Sequence, residues 1–160
     1  MLTKEERKAL KQRFWSEFDN YCEAVPELAG QKKKWILHDT KISHLDLKFD
    51  IRSNSIMVVL EINHKSELRR FQLFEVLEKY KSLLSQGCEG IFTWDFCYQN
   101  ENSQEVCRIY VEKRGIDIHN IPEWPSIFQF LSENMLLLQN NFIEIQEFLK
   151  EELDLLYRER

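Results

Sequence analysis

The chain contains few of the residues that interrupt globular structure. Its 160 residues include only four glycines and three prolines, which leaves little room for linkers. No apolar run approaches the roughly 20 residues that a membrane-spanning helix needs, so a membrane protein is not expected. No C-x-x-C motif occurs and no histidine lies at zinc-ligand spacing, which argues against structural zinc. The chain is instead rich in aromatic residues, with eleven Phe, four Trp and five Tyr available for a core.

The cysteines are four scattered residues, namely Cys22, Cys88, Cys97 and Cys107. The first residues favour a charged helix over an apolar signal segment. We therefore expect reduced, mostly buried thiols and a cytoplasmic location.

The charge is unevenly distributed along the chain. Residues 1–70 carry 14 Lys/Arg and 11 Asp/Glu, and residues 71–160 carry 8 and 16, which together give the net charge of −5. A free-standing nucleic-acid-binding protein usually has a net basic face. Here only a local basic patch is available, formed by Lys32, Lys33, Lys34, Lys65, Arg69 and Arg70. Nucleic-acid binding is therefore not favoured, and an ordinary solvated surface explains the same residues.

Capping residues and helical spacing predict two helices in the first half of the chain. Thr3 and Glu6 form a capping box that begins a helix, and Pro26 ends it. Ser66 is the expected N-cap of the second helix, and Gly87 suits its C-terminal cap. The apolar side of this second helix is expected to consist of Leu68, Phe71, Phe74, Leu77 and Leu84.

Five strands and a long C-terminal helix complete the predicted element order α-β-β-β-α-β-β-α. The strands are predicted at residues 35–37, 45–51, 56–63, 91–98 and 106–113. A largely helical tail runs from residue 126 toward residue 157, and Asn140 with Asn141 could interrupt it. We expect a single α+β domain over residues 1–160, with a core of about residues 1–115 and a helical extension of about residues 122–157.

One predicted β-hairpin contains the clearest indication of chemistry. Its loop is the polar segment Arg52-Ser53-Asn54-Ser55. The strand before the loop alternates apolar and charged residues, and the strand after it is mostly apolar. With this loop, Asp46 lies directly opposite Glu61 and Leu47 lies opposite Leu60. Opposed residues have Cβ atoms about 5 Å apart, so two facing carboxylates are unfavourable alone. The pair therefore needs a cation, a shared proton or a metal ion, unless the register differs.

An α-β-β-β-α-β core with acids on two neighbouring strands resembles the PD-(D/E)XK restriction-endonuclease-like superfamily. The whole chain is more specifically similar to a bacterial family of small proteins described as a domain of unknown function. The residues that carry this second resemblance are Glu61-Ile62-Asn63-His64-Lys65, Cys107-Arg108-Ile109-Tyr110, Glu123-Trp124-Pro125 and Phe14-Trp15. The first resemblance implies a mixed, mainly antiparallel sheet.

The superfamily resemblance also implies roles for hairpin residues. In its active nucleases two acids hold Mg²⁺, and a lysine two residues after the second acid orients the attacking water. The corresponding positions here are Asp46, Glu61 and Asn63, and asparagine cannot carry a lysine's charge. Lys48, on the same face as Glu61, or Lys65 beyond it could replace that lysine as the catalytic residue. Mg²⁺ or Mn²⁺ is the implied cofactor, held by Asp46 and Glu61.

An ordinary ion cluster explains the same hairpin acids without a metal. Lys48 could neutralise both Asp46 and Glu61 on the sheet face, because structural ion pairs imitate functional clusters. A register slip of one residue would place the two acids on opposite faces.

Four further residues have a structural and a functional interpretation each. His44 and His64 flank the hairpin as a proton-transfer pair or as ordinary surface residues. Arg108, among apolar neighbours, could bind a phosphate or pair with an acid such as Asp95 or Glu112. Trp124 is expected to anchor packing at a helix start or to contact a partner.

Three functions remain open at this stage. The broken lysine position and the acidic charge favour a non-catalytic or degenerate nuclease-fold interaction module. The alternatives are a Mg²⁺- or Mn²⁺-dependent nuclease acting on DNA or RNA, and a homo-oligomeric structural protein. The amphipathic C-terminal helix is the expected contact with a protein partner or with a second copy.

Overall fold

The computed structural model describes residues 2–26, 40–87 and 92–158. Its elements are α1 (Lys4–Ala24), β1 (Leu45–Ile51), β2 (Ser55–Ile62), α2 (Glu67–Lys79), α3 (Lys81–Leu84), β3 (Thr93–Gln99), β4 (Glu105–Arg114), a 3₁₀ turn (Ile121–Glu123) and α4 (Trp124–Arg158). The α+β class is therefore confirmed. The predicted strand at residues 35–37, the lysines at 32–34, Cys88 and residue 91 lie outside the described residues.

The four described strands form one sheet in the order β1-β2-β4-β3. The predicted hairpin register is confirmed, with Asp46 opposite Glu61 and Leu47 opposite Leu60. The Arg52 N–H donates to the Ser55 carbonyl at 2.8 Å and closes the predicted loop. Every pairing between the described strands is antiparallel, so the mixed sheet implied by the nuclease-like resemblance is not confirmed.

The main core lies on one face of this sheet. Alternate strand residues point to that face because side chains in a strand alternate sides. Those from β1, β2 and β4 are Leu45, Leu47, Ile56, Val58, Leu60, Ile62, Cys107, Ile109 and Val111, and they join one buried cluster with residues of all four helices. The opposite face carries the charged residues that alternate with these positions, together with the buried Met57 and Val59 of β2.

The C-terminal helix α4 is continuous over 35 residues, so the predicted interruption at Asn140 and Asn141 is wrong. Asn141 Nδ2 donates to the carbonyls of Leu84 and Gln86, both at 2.9 Å. It thereby satisfies the carbonyl of Leu84, the last residue of α3, and binds a second carbonyl just beyond the helix. Although α4 is long, no helix within residues 2–26, 40–87 and 92–158 is apolar enough along its length to cross a membrane.

Replacing Asn141 with alanine is expected to lower the free energy of unfolding by about 0.5–1.5 kcal/mol, because the partly buried Leu84 carbonyl and the exposed Gln86 carbonyl lose a donor that water replaces only in part. The adjacent and exposed Asn140 provides the matched control. Its alanine variant should lie within about 0.5 kcal/mol of the wild type. Urea unfolding of both variants makes the comparison, and equal effects would show that the two bonds contribute nothing specific.

The second predicted helix begins as expected but differs beyond that point. Ser66 Oγ accepts from the Arg69 N–H at 3.3 Å, which confirms the N-cap. The helix is broken at Tyr80, whose hydroxyl donates to Glu152 Oε1 of α4 at 3.0 Å. Leu68 and Phe71, predicted on its buried side, are instead 53% and 46% exposed. The apolar side of α2 is therefore only partly covered.

Candidate functional site

The second face of the sheet carries a cluster of charged side chains. The register places Arg108 of β4 opposite Glu61 of β2, and Asp95 of β3 opposite Arg108. Asp46, Lys48 and Asp50 of β1 share this face because they alternate with the core residues. Cross-strand pairing thus brings together charges from all four described strands.

Glu61 is at the centre of this cluster and is only 3% exposed. Its Oε1 accepts from Arg108 Nε at 2.9 Å. Its Oε2 lies 2.8 Å from Lys48 Nζ. Each oxygen of this buried carboxylate is therefore paired with a cation, which is the condition under which a carboxylate tolerates burial.

Arg108 is fully buried and links Glu61 to Asp50. Its Nη1 donates to Asp50 Oδ2 at 2.7 Å. Its guanidinium lies over the Tyr98 ring, with the carbon 4.3 Å from the ring centroid, in a cation–π contact. Its Nη2 is buried and has no hydrogen-bond partner within the described residues. The sequence-based prediction that Arg108 pairs with an acid is confirmed, but the partners are Asp50 and Glu61 rather than Asp95 or Glu112.

The cluster continues from Asp50 toward the hairpin loop. Arg52 Nη2 lies 3.2 Å from Asp50 Oδ2 and 3.7 Å from Glu101 Oε2. Burial alone would raise the pKa of Asp50, but Arg108 and Arg52 outweigh burial and lower it. Burial likewise opposes the charge of Arg108, and the two carboxylates outweigh it and raise the pKa of Arg108. Asp50 and Arg108 therefore keep their charges in the folded chain.

Asp46 faces Glu61 in register but has different partners. Its Oδ2 accepts from Asn63 Nδ2 at 2.7 Å. Asn63 Oδ1 lies 3.3 Å from His44 Nδ1. Asn63, at the position where the nuclease-like resemblance implies a lysine, thus connects Asp46 to His44. The two predicted metal ligands belong to two separate hydrogen-bond chains.

The two predicted lysines lie in different places. Lys48 contacts Glu61 directly and its side chain is 30% exposed. Lys65 lies beyond the end of β2 and lines a cavity of about 250 Å³ with the buried Arg70. Within the described residues, no group of three or more His, Cys, Asp or Glu side chains is arranged to hold a metal ion. Lys48 is therefore the lysine that the fold brings to the acid pair.

The rings of His44 and His64 are in contact at the end of the hairpin, with centroids 3.9 Å apart and planes tilted by 34°. Burial lowers the pKa of His64, and the nearby charges of His44, Arg69 and Arg70 lower it further. A proton-transfer role for the pair stays a prediction. Their contact makes the protonation of His64 depend on His44.

We expect the stability of the chain to fall as pH drops below about 6.5, in part because of His64. Its pKa is lowered on folding, so below about 6.5 the unfolded chain binds the proton more readily. Its contribution is therefore present above that pH and is lost as pH falls through the lowered pKa. Urea unfolding of His64→Asn should show a smaller change with pH, and NMR titration of His44→Gln should show a higher pKa for His64.

Comparisons with known proteins identify a family but no activity. A family model described as a domain of unknown function (DUF4268) matches residues 10–156. A search of curated proteins found no match, and a search of solved structures found none. The match supports the resemblance to a domain of unknown function, whereas the restriction-endonuclease-like resemblance is not confirmed.

Proposed function

The chain belongs to the DUF4268 family, and we propose that it is a non-catalytic binding module whose charged sheet face has a structural role. The observation that carries this proposal is the complete pairing of Glu61, whose oxygens contact Arg108 Nε at 2.9 Å and Lys48 Nζ at 2.8 Å. A Mg²⁺ ligand must offer a carboxylate oxygen to the ion. Here both oxygens already serve cations.

The position of Asn63 supports the same proposal. Its amide donates to Asp46 and its oxygen faces His44, so its hydrogen-bonding groups are used within the fold. An amide carries no charge and cannot orient and activate water as a lysine does. At position 63 the hairpin therefore lacks the lysine that active nucleases of the restriction-endonuclease-like superfamily have two residues after the second acid.

A metal-dependent nuclease is the second candidate, because one arrangement favours it. Asp46 lies directly opposite Glu61 in the hairpin, and Lys48 Nζ lies 2.8 Å from Glu61 Oε2. In this function Asp46 and Glu61 would hold Mg²⁺ or Mn²⁺, and Lys48 or Lys65 would orient the water. The ion would have to displace Lys48 from Glu61, which its partly exposed side chain permits.

Nuclease assays on single- and double-stranded DNA and RNA with Mg²⁺ or Mn²⁺ test these candidates. The binding-module proposal predicts no cleavage, and no Mn²⁺-dependent rise in the unfolding temperature, since an ion that binds only the folded state would stabilise it. Cleavage that is lost in Asp46→Asn and in Glu61→Gln would overturn the proposal. Glu112→Gln is the matched control, because Glu112 lies on the same face and pairs with the exposed Arg114.

A further inference from the structure

An apolar groove separates α2 from the last turns of α4. We call it the α2–α4 groove, and its volume is about 430 Å³. Its apolar lining consists of Leu68, Phe71, Val76, Leu155 and Leu156. Leu68, Phe71 and Leu155 are 53%, 46% and 59% exposed, so large apolar side chains meet solvent together here. Grouped exposure of this kind marks interaction surfaces more often than single exposed residues do.

The exposed apolar residues form two ridges along the groove. Leu68 and Phe71 are three residues apart on α2 and therefore lie on one face. Phe148 and Leu155 are seven residues apart on α4, and Phe148 is 58% exposed. Two such ridges beside a groove have the shape that accepts the apolar face of another helix.

The rim of the α2–α4 groove is mainly acidic. Glu75 and Glu152 line the groove, and the exposed Glu78 and Glu151 lie within one helical turn of Glu75 and Leu155 respectively. Lys79 is held by Glu152, with Nζ 3.0 Å from Oε2. Arg69 lies over the Tyr157 ring, with the guanidinium carbon 4.0 Å from the centroid. Lys79 and Arg69 therefore already have partners within the fold. The exposed Arg158 lies one turn from Leu155, and acids outnumber cations along the rim.

We propose that the α2–α4 groove binds an amphipathic helix of a partner protein whose apolar stripe is flanked by Lys or Arg. This inference rests on the proposed binding function and names its surface and its class of partner. The acidic rim favours a basic partner, since complementary charge raises association rate and specificity. It disfavours a second copy, because a two-fold contact through this groove would bring the same acidic rims together.

A designed peptide provides the probe for this groove. A labelled peptide of about 18 residues, made of leucine on one helical face and lysine beside it, spans about five helical turns. Its counterpart has glutamate in place of lysine. We expect fluorescence anisotropy to show binding of the leucine–lysine peptide, binding at least about tenfold weaker for the counterpart, and weakening of the first by salt.

Three variants locate the binding on the protein. Phe71→Glu and Leu155→Glu should each weaken binding of the leucine–lysine peptide by at least about tenfold. Ile143→Glu is the matched control, because Ile143 is 56% exposed on α4 but does not line the groove. Circular dichroism should show the same helical content in all three variants, since the replaced side chains are exposed.

Specific outcomes would overturn the groove assignment. Equal loss of binding in Ile143→Glu and Phe71→Glu, or equal binding of both peptides, would show that the contact is not made by the groove and its acidic rim. A dimer in sedimentation analysis that Phe71→Glu dissociates, without peptide binding by the wild type, would assign the groove to a second copy. None of these outcomes depends on nuclease activity, so failure here is distinct from failure of the proposed non-catalytic function.

Discussion

Replacing Arg108 with methionine is expected to lower the free energy of unfolding by about 3–5 kcal/mol. Methionine has a similar length but no charge, so the carboxylates of Glu61 and Asp50 lose the cation between them. Lys48 would still contact one oxygen of Glu61. The other oxygen would remain buried without a donor, which costs more than the net gain from the original pair. Urea unfolding at neutral pH measures the change.

An exposed arginine on the same strand provides the control for this prediction. Arg114 pairs with Glu112 at 3.1 Å, but its side chain is 82% exposed. Arg114→Met should therefore change the free energy of unfolding by about 0–1 kcal/mol. Adding Glu61→Gln and Asp50→Asn to Arg108→Met should recover part of the loss, because the unpaired charges disappear together. A loss no greater than that of Arg114→Met would contradict the buried network.

The hairpin could be predicted from sequence because its information is local. The polar loop at residues 52–55 sets which residues face each other, and the apolar alternation sets which face is buried. Ser66 was predictable for the same reason, since an N-cap depends on residues within one turn. The acid pair therefore emerged at the correct positions without any knowledge of the rest of the fold.

The partners of those acids could not be predicted locally. Arg108 reaches Glu61 and Asp50 only because β4 pairs with β2, two strands that are separated by α2, α3 and β3. Asn141 was predicted to interrupt a helix, because asparagine favours turns, but distant carbonyls of Leu84 and Gln86 accept its hydrogen bonds. Helical spacing identified Leu68 and Phe71 as part of one apolar face without indicating that these two side chains are largely exposed. Each of these differences depends on contacts between elements.

Replacing Trp124 with alanine is expected to lower the free energy of unfolding by about 3–5 kcal/mol. Trp124 is 2% exposed and its ring meets Phe14 of α1 edge-to-face, with centroids 5.4 Å apart. Its Nε1 donates to the Ile118 carbonyl at 2.6 Å. The predicted packing anchor at a helix start is thus confirmed, and alanine would leave both a cavity and an unpaired carbonyl. Guanidinium unfolding with matched slopes measures the loss.

Conversion to phenylalanine separates the two contributions at Trp124. Trp124→Phe keeps an aromatic ring but removes the donor to Ile118, which adds about 1–3 kcal/mol for a carbonyl left unsatisfied. Trp94 of β3 is the control, because its ring packs on Phe74 but its buried Nε1 has no hydrogen-bond partner within the described residues. Trp94→Phe should therefore cost less than Trp124→Phe. If the two phenylalanine variants lost equal stability, the bond to Ile118 would have no measurable role in fixing the start of α4 against α1.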